Sequence, residues 1–162
     1  MQLQGIENPT YTSTKSGHVF VCSASGIVAA KVDTIIEAHT RRDKAECFRD
    51  IGRYTHFTQD PDGLVRVAFP ANIGLFKFPQ MFHKRIVKKA DGCGRIEFST
   101  PPGGVANVSG AWDLLPINAT QTMVNFSQRA IVPGWARFLP VEKYIQSRVT
   151  RMMEDLAALP KT

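Results

Sequence analysis

Apolar and polar residues alternate with a period of two through most of this chain and take up a long helical period near its end. Alternation of that kind marks half-buried strands, because successive side chains leave a strand on opposite faces. The clearest case surrounds GAWDLLPINATQTMVNF, Gly110 to Phe126. Val108, Gly110, Trp112 and Leu114 share one face, while Asn107, Ser109, Ala111 and Asp113 share the other. The return strand runs from about Thr120 to Ile131. Upstream, Val65, Val67 and Phe69 alternate with Arg66 and Ala68, and Ile96 and Phe98 oppose Arg95 and Glu97. FHKRIVKK, Phe82 to Lys89, reads as a strand whose facing the pattern leaves open. Pro70 and Pro79 bracket a short segment carrying Phe76 and Phe78. Nearer the start, His18 to Ser25 reads as an edge strand. Ile27 to Ile36 reads as a half-buried one, with Val28, Ala30, Val32 and Ile36 on its apolar face. The Asp91-Gly92 turn and the Pro101–Gly104 loop separate closely spaced strands, which predicts an antiparallel meander.

Three segments break the alternation. Thr40, with Asp43 three residues on, offers an N-cap for a short helix, DKAECFRDI, that turns Ala45, Phe48 and Ile51 inward and ends at Gly52. Arg53 to Phe57 reads as a further helical turn. From Val141 to Leu159 the apolar positions Val141, Ile145, Val149, Met152 and Leu156 recur at helical spacing. At ~1.5 Å per residue such a helix is nearly 30 Å long, and only the sheet is broad enough to bury its stripe.

The chain has 162 residues, a length suited to one domain, and is 43% hydrophobic. No run approaches the ~18 apolar residues of a membrane span, and the polar start, MQLQGIENPTYTSTKSG, does not read as a secretory signal. Cys22, Cys47 and Cys93 are odd in number and form no C-x-x-C pair. Free thiols in the cytoplasm or another reducing compartment are expected. The net charge of +6 weakly favours anionic partners.

Candidate chemistry is sparse. His18, His39, His56 and His83 have no metal-ligand spacing, and there is no G-x-S-x-G elbow or phosphate-binding loop. No catalytic residue, metal site or cofactor is therefore assigned. Tyr54, His56, Arg66 and Arg129 are the polar types available for proton transfer, with both arginines expected to point outward. The basic run His83, Lys84, Arg85, Lys88 and Lys89 fits an anionic membrane surface, with Phe76, Phe78, Met81 and Phe82 beside it. It fits equally well as protection of a strand edge against unwanted pairing. Nucleic-acid binding is disfavoured, because the aromatics that would stack bases are expected to face inward.

Three stretches resemble the START-like (SRPBCC) superfamily, closest in pattern to polyketide cyclase/dehydratase and coenzyme Q-binding proteins. TIIEAHTRRDKAECFRDIGRYTHF, Thr34 to Phe57, is similar to that family's first strand, capped helix and aromatic turn. GAWDLLPINATQTMVNF is similar to its penultimate hairpin, and Pro133 to Leu159 to its closing helix. The resemblance implies an α+β helix-grip fold: a curved antiparallel sheet wrapped around a long C-terminal helix, with two short helices after the first strand. It places that domain at residues 27–162, after an N-terminal extension, residues 1–26, in which an extra strand is an option. It also implies an apolar cavity between sheet and helix, lined by Phe69, Phe82, Phe98, Trp112, Phe126, Ile145, Val149 and Met152. Its guest would be a hydrophobic small molecule such as a lipid, quinone or aromatic compound. A cyclase/dehydratase-like enzyme is the alternative, and a nucleic-acid or protein adaptor using the basic strand is a second. Periodicity alone leaves open whether these aromatics surround a cavity or fill a core. Gly110 and Gly74 suit either a roomy interior or bends in the sheet.

Overall fold

The computed structural model describes residues 2–45, 47–48, 56–88 and 90–159. The first 28 residues supply two long strands, β1 (Glu7–Ser16) and β2 (Val19–Val28), paired as a hairpin. Two short helices follow, α1 (Val32–Thr40) and α2 (Arg42–Ala45). The chain then enters the meander of β3 (His56–Gln59), β4 (Val65–Ile73), β5 (Phe76–Lys88), β6 (Gly94–Ser99), β7 (Asn107–Pro116) and β8 (Thr122–Ile131). A short 3-10 helix, Gly134–Phe138, leads into α3 (Val141–Ala157).

The strands form one antiparallel, curved sheet in the order β1-β2-β8-β7-β6-β5-β4-β3. Helices α1 and α2 carry the chain from β2 to the far edge at β3, and the meander then returns until β8 pairs with β2 along its whole length. Alternation holds in almost every strand. Phe20, Cys22, Ala24 and Val28 of β2, Val65, Val67, Phe69 and Ala71 of β4, and Val124, Phe126 and Ala130 of β8 are buried on one face. That face receives the stripe of α3, whose Val141, Ile145, Val149, Met153 and Leu156 are buried. The result is an α+β helix-grip architecture.

Local details depart from the sequence reading in five places. The strand read as an edge strand from His18 to Ser25 lies inside the sheet as β2, with β1 on one side and β8 on the other. The strand expected over Ile27–Ile36 stops at Val28, and Val32 begins α1. From Val32 the buried set is Val32, Ile35, Ile36 and His39, a helical spacing that outweighs the β-branched composition. Thr40 is the last residue of α1, not a cap for the next helix; its hydroxyl donates to the Ile36 carbonyl at 2.8 Å. Ala45 and Phe48 are buried as expected, whereas Ile51, Gly52 and Tyr54 lie outside the described residues. His56 and Phe57, expected in a helical turn, belong to β3. Finally, β4 and β5 run straight through Pro70 and Pro79, which face each other across the hairpin. Both sit beyond the reach of the outer strands, since β3 ends opposite Ala68 and β6 opposite His83, so no ladder bond is lost.

The two questioned glycines mark close approach and bending. A Cβ on Gly110 would come within 2.2 Å of the Ser127 carbonyl oxygen and 2.6 Å of Phe98 Cζ. The space beside Trp112 is thus filled by the Phe98 ring and the β8 backbone. Gly74, at φ +60°, makes the turn between β4 and β5.

Candidate functional site

Between the concave face of the sheet and α3 lies a cavity of about 130 Å³. Phe69 (β4), Phe82 (β5), Phe98 (β6), Trp112 (β7) and Phe126 (β8) line it from the sheet, and Ile145, Val149 and Met152 line it from α3. All eight residues expected to surround a guest therefore meet at one site. Cross-strand neighbours bring the rings together. Phe82 meets Phe69 at 5.5 Å and Phe98 edge-on at 5.8 Å; Phe126 stacks on Phe98 at 5.7 Å and touches Trp112 at 4.6 Å. These are favourable aromatic separations, and they make a continuous wall across five strands.

Polar groups interrupt that wall at few points. Gln80, Gln128, Tyr144 and Arg148 reach the cavity, and so does Lys84. Arg148 donates to the Tyr144 hydroxyl at 2.5 Å, and its guanidinium sits 5.1 Å from the Phe69 ring centre and 5.2 Å from that of Tyr144. A cation held over aromatic faces keeps much of its solvation by other means.

Lys84 corrects the reading of the basic run. It is only 7% exposed and points into the interior, opposite Val65 on β4 and Phe98 on β6. The reason is period two: Phe82 faces inward, so the residue two positions on does as well. Arg85 faces out, 3.5 Å from Asp62, and His83 is half-buried. The side chain of Lys88 and the whole of Lys89 lie outside the described residues. The run is thus divided between two faces and is no uniform basic surface.

Lys84 Nζ donates to His39 Nδ1 at 3.4 Å. His39 is fully buried near the end of α1, 4.9 Å from the Trp112 ring and 5.0 Å from that of Phe48. Desolvation, assisted by the Lys84 charge, holds the imidazole well below its usual titration range. The ring is therefore neutral, and accepting at Nδ1 places its proton on Nε2, which has no partner. Burial pushes the Lys84 amine down to about 8, opposed by nearby Cys47. Burial likewise raises the Cys47 thiol to about 11. The three cysteines are unpaired with one another.

Other candidates lie elsewhere. Arg66 and Arg129 are exposed, as their alternation requires, and Arg66 pairs with Asp60 at 3.0 Å. His56 is exposed on β3, away from the cavity, and Tyr54 lies outside the described residues. Lys84, Gln80 and Gln128 were discoverable from strand phase, and Tyr144 and Arg148 from the α3 stripe, where each flanks Ile145 or Val149. His39 carried no such signal, because it falls between the strand expected to end at Ile36 and the helix expected to begin at Thr40.

The cavity, the aromatic wall and the closing helix together define a START-type helix-grip fold. No protein-family model matches the sequence, and no curated protein matches it either. Solved structures do match the fold. The lipid transfer and protein localization domain of human StarD13 (DLC2) superposes with a TM-score of 0.68 at 11% identity, over 98% of this chain and 88% of that one. The Zhui aromatase/cyclase of a Streptomyces species gives 0.68 at 13% identity, over 86% and 92%. Human STARD10 gives 0.61 at 9% identity, over 92% and 71%.

Proposed function

We propose that this chain is a carrier that holds a hydrophobic small molecule in the cavity between the sheet and α3. The observation that carries this is a space walled by aromatic rings from five consecutive strands and closed by an apolar helix stripe. Such a space forfeits packing contacts, and a guest restores them. The name of one fold neighbour, the lipid transfer and protein localization domain of human StarD13, supports the reading. At about 130 Å³ the cavity approaches the ~150 Å³ engineered cavity that takes up benzene. A ring-sized guest fits as the chain stands, and a longer lipid requires α3 to move outward from the sheet.

Loading from a membrane fits the surface next to the cavity. Leu75 is fully exposed at the β4–β5 turn, and Phe76, Trp135 and Phe138 are exposed beside it. Phe78 and Trp135 touch at 5.8 Å, which joins the turn to the 3-10 helix. Ile73 and Val141, neighbours of Gly74 and Pro140, line the cavity, so the patch adjoins it. Exposed aromatics of this kind suit the bilayer interface. This patch, in place of the divided basic run, is the surface proposed to touch lipid.

Native mass spectrometry of the purified protein, followed by titration with an environment-sensitive apolar dye, tests the carrier reading. Co-purified apolar mass or saturable uptake is expected, with uptake abolished in Val149→Trp. Absence of both in the folded wild type would overturn it. A cyclase/dehydratase-like enzyme is the second reading, favoured by the convergence of Lys84, Gln80, Gln128 and Tyr144 on one cavity. Incubation with a reactive poly-ketone chain tests it; product profiles identical with and without the protein would remove it.

A further inference from the structure

We propose that the guest carries a carboxylate and that Lys84 is its anchor, so that the cavity selects carboxylic acids borne on an apolar, ring-sized body. This rests on the carrier reading and names the ligand class that reading leaves open. Lys84 is the one lysine among the described residues that is buried, and it lines the same space as the rings of Phe82, Phe98 and Trp112. An ammonium group has three donors. Among the described residues the only hydrogen-bond acceptor recorded for it is His39 Nδ1, at 3.4 Å, a long contact to a neutral ring.

No carboxylate forms an ion pair with Lys84 among the described residues. Asp155 on α3, the only other buried charge among the described residues, is itself engaged in an interaction. Lys84 lines the cavity, and the contact to His39 uses one of its three donors, which leaves a positive charge and two donors for a guest to meet. Charge left unpaired in an apolar interior is costly, and a bidentate anion arriving with an apolar body removes that cost while covering the aromatic wall. Arg148, the other cation at the cavity, is already engaged with Tyr144 and Phe69. That contrast assigns the anchor to Lys84. A neutral alcohol of the same shape would gain the wall but not the charge.

Isothermal titration of the full chain with 3-phenylpropanoate and with 3-phenylpropanol, in wild type, Lys84→Met and Lys84→Arg, tests this. A hydrogen-bonded charge pair in such a setting discriminates by roughly tenfold to a hundredfold. The expected result is that preference for the acid in wild type, retained at least in part in Lys84→Arg, and collapsing to about onefold in Lys84→Met. Equal binding of acid and alcohol by wild type would overturn the carboxylate proposal and leave the carrier reading standing. Acid preference that survives in Lys84→Met would move the anchor to Arg148 and overturn the assignment. Binding of neither probe, with no other apolar guest taken up, would remove the carrier reading and this inference together. The wild-type comparison stands on its own should a variant fail to fold.

Discussion

Replacing Lys84 with methionine removes a charged amine from the interior and keeps an unbranched chain of similar length. The amine titrates near 10.5 in the unfolded chain and at about 8 in the folded one. At pH 7 both forms are protonated, so the folded protein bears the full cost of the buried charge. That cost is the separation of the two values, roughly 3 kcal/mol. As pH rises through 8, the folded lysine releases its proton while the unfolded one keeps it. The unfolded state then binds more protons, so stability climbs until about pH 10.5 and levels off. Urea unfolding of wild type and Lys84→Met at pH 7 and pH 9 reads this directly. The variant is expected to be more stable by up to roughly 3 kcal/mol at pH 7, with the gap about 1 kcal/mol smaller at pH 9. The Cys22 and Cys47 thiols, both raised to about 11, act in the opposite direction above pH 9, and taking the difference between proteins largely cancels them. A variant no more stable than wild type at pH 7, or a gap that does not shrink with pH, would refute a buried, uncompensated ammonium.

His39 gives the acid counterpart. Its folded value is depressed, so stability is expected to fall as pH drops below about 6.5, by at most about 1.4 kcal/mol per unit, and His39→Phe should flatten that slope in urea titrations between pH 7 and 5. Gly110→Ala forces a methyl into the Ser127 carbonyl and the Phe98 ring, and calorimetry should show a loss of about 3 kcal/mol; a loss below about 0.5 kcal/mol would mean that β8 yields easily. Trp112→Ala, at a ring only 2% exposed, should cost about 3–5 kcal/mol in urea unfolding and admit bulkier guests in dye-displacement assays. Leu75→Glu with Trp135→Glu should abolish sedimentation with vesicles of mixed neutral and anionic phospholipid while leaving dye uptake intact.

Strand phase made most of the site legible. Alternation in β4, β6, β7 and β8 needs only one anchored residue to set every facing, so the inward aromatics followed directly. The same rule applied to β5 gives Lys84 from Phe82, but a run dense in lysine and arginine reads as solvated surface, since buried lysine is rare. The segment from Ile27 to Thr40 was ambiguous for a different reason. Val32 and Ile36 satisfy both a spacing of two and a spacing of four, and β-branched residues favour the strand; packing against the sheet decides for a helix. Pro70 and Pro79 signalled interruption because their tolerance depends on which strands lie alongside, a fact of topology that no local window contains. Cavity size is likewise invisible to periodicity. Whether Phe98 fills the gap beside Gly110 or leaves it open depends on how closely the neighbouring strand and ring approach, which no residue period records.

The crossover by α1 and α2 also bears on how the chain acquires its shape. Val19 faces Ile131 and Val28 faces Thr122, so the seam joining the opening hairpin to the meander links segments roughly a hundred residues apart. During synthesis the inner edge of β2 must wait, unpaired, until the last strand leaves the ribosome. Slow closure of that seam is expected to govern the folding rate, and the waiting edge is where a nascent chain is most exposed to aggregation.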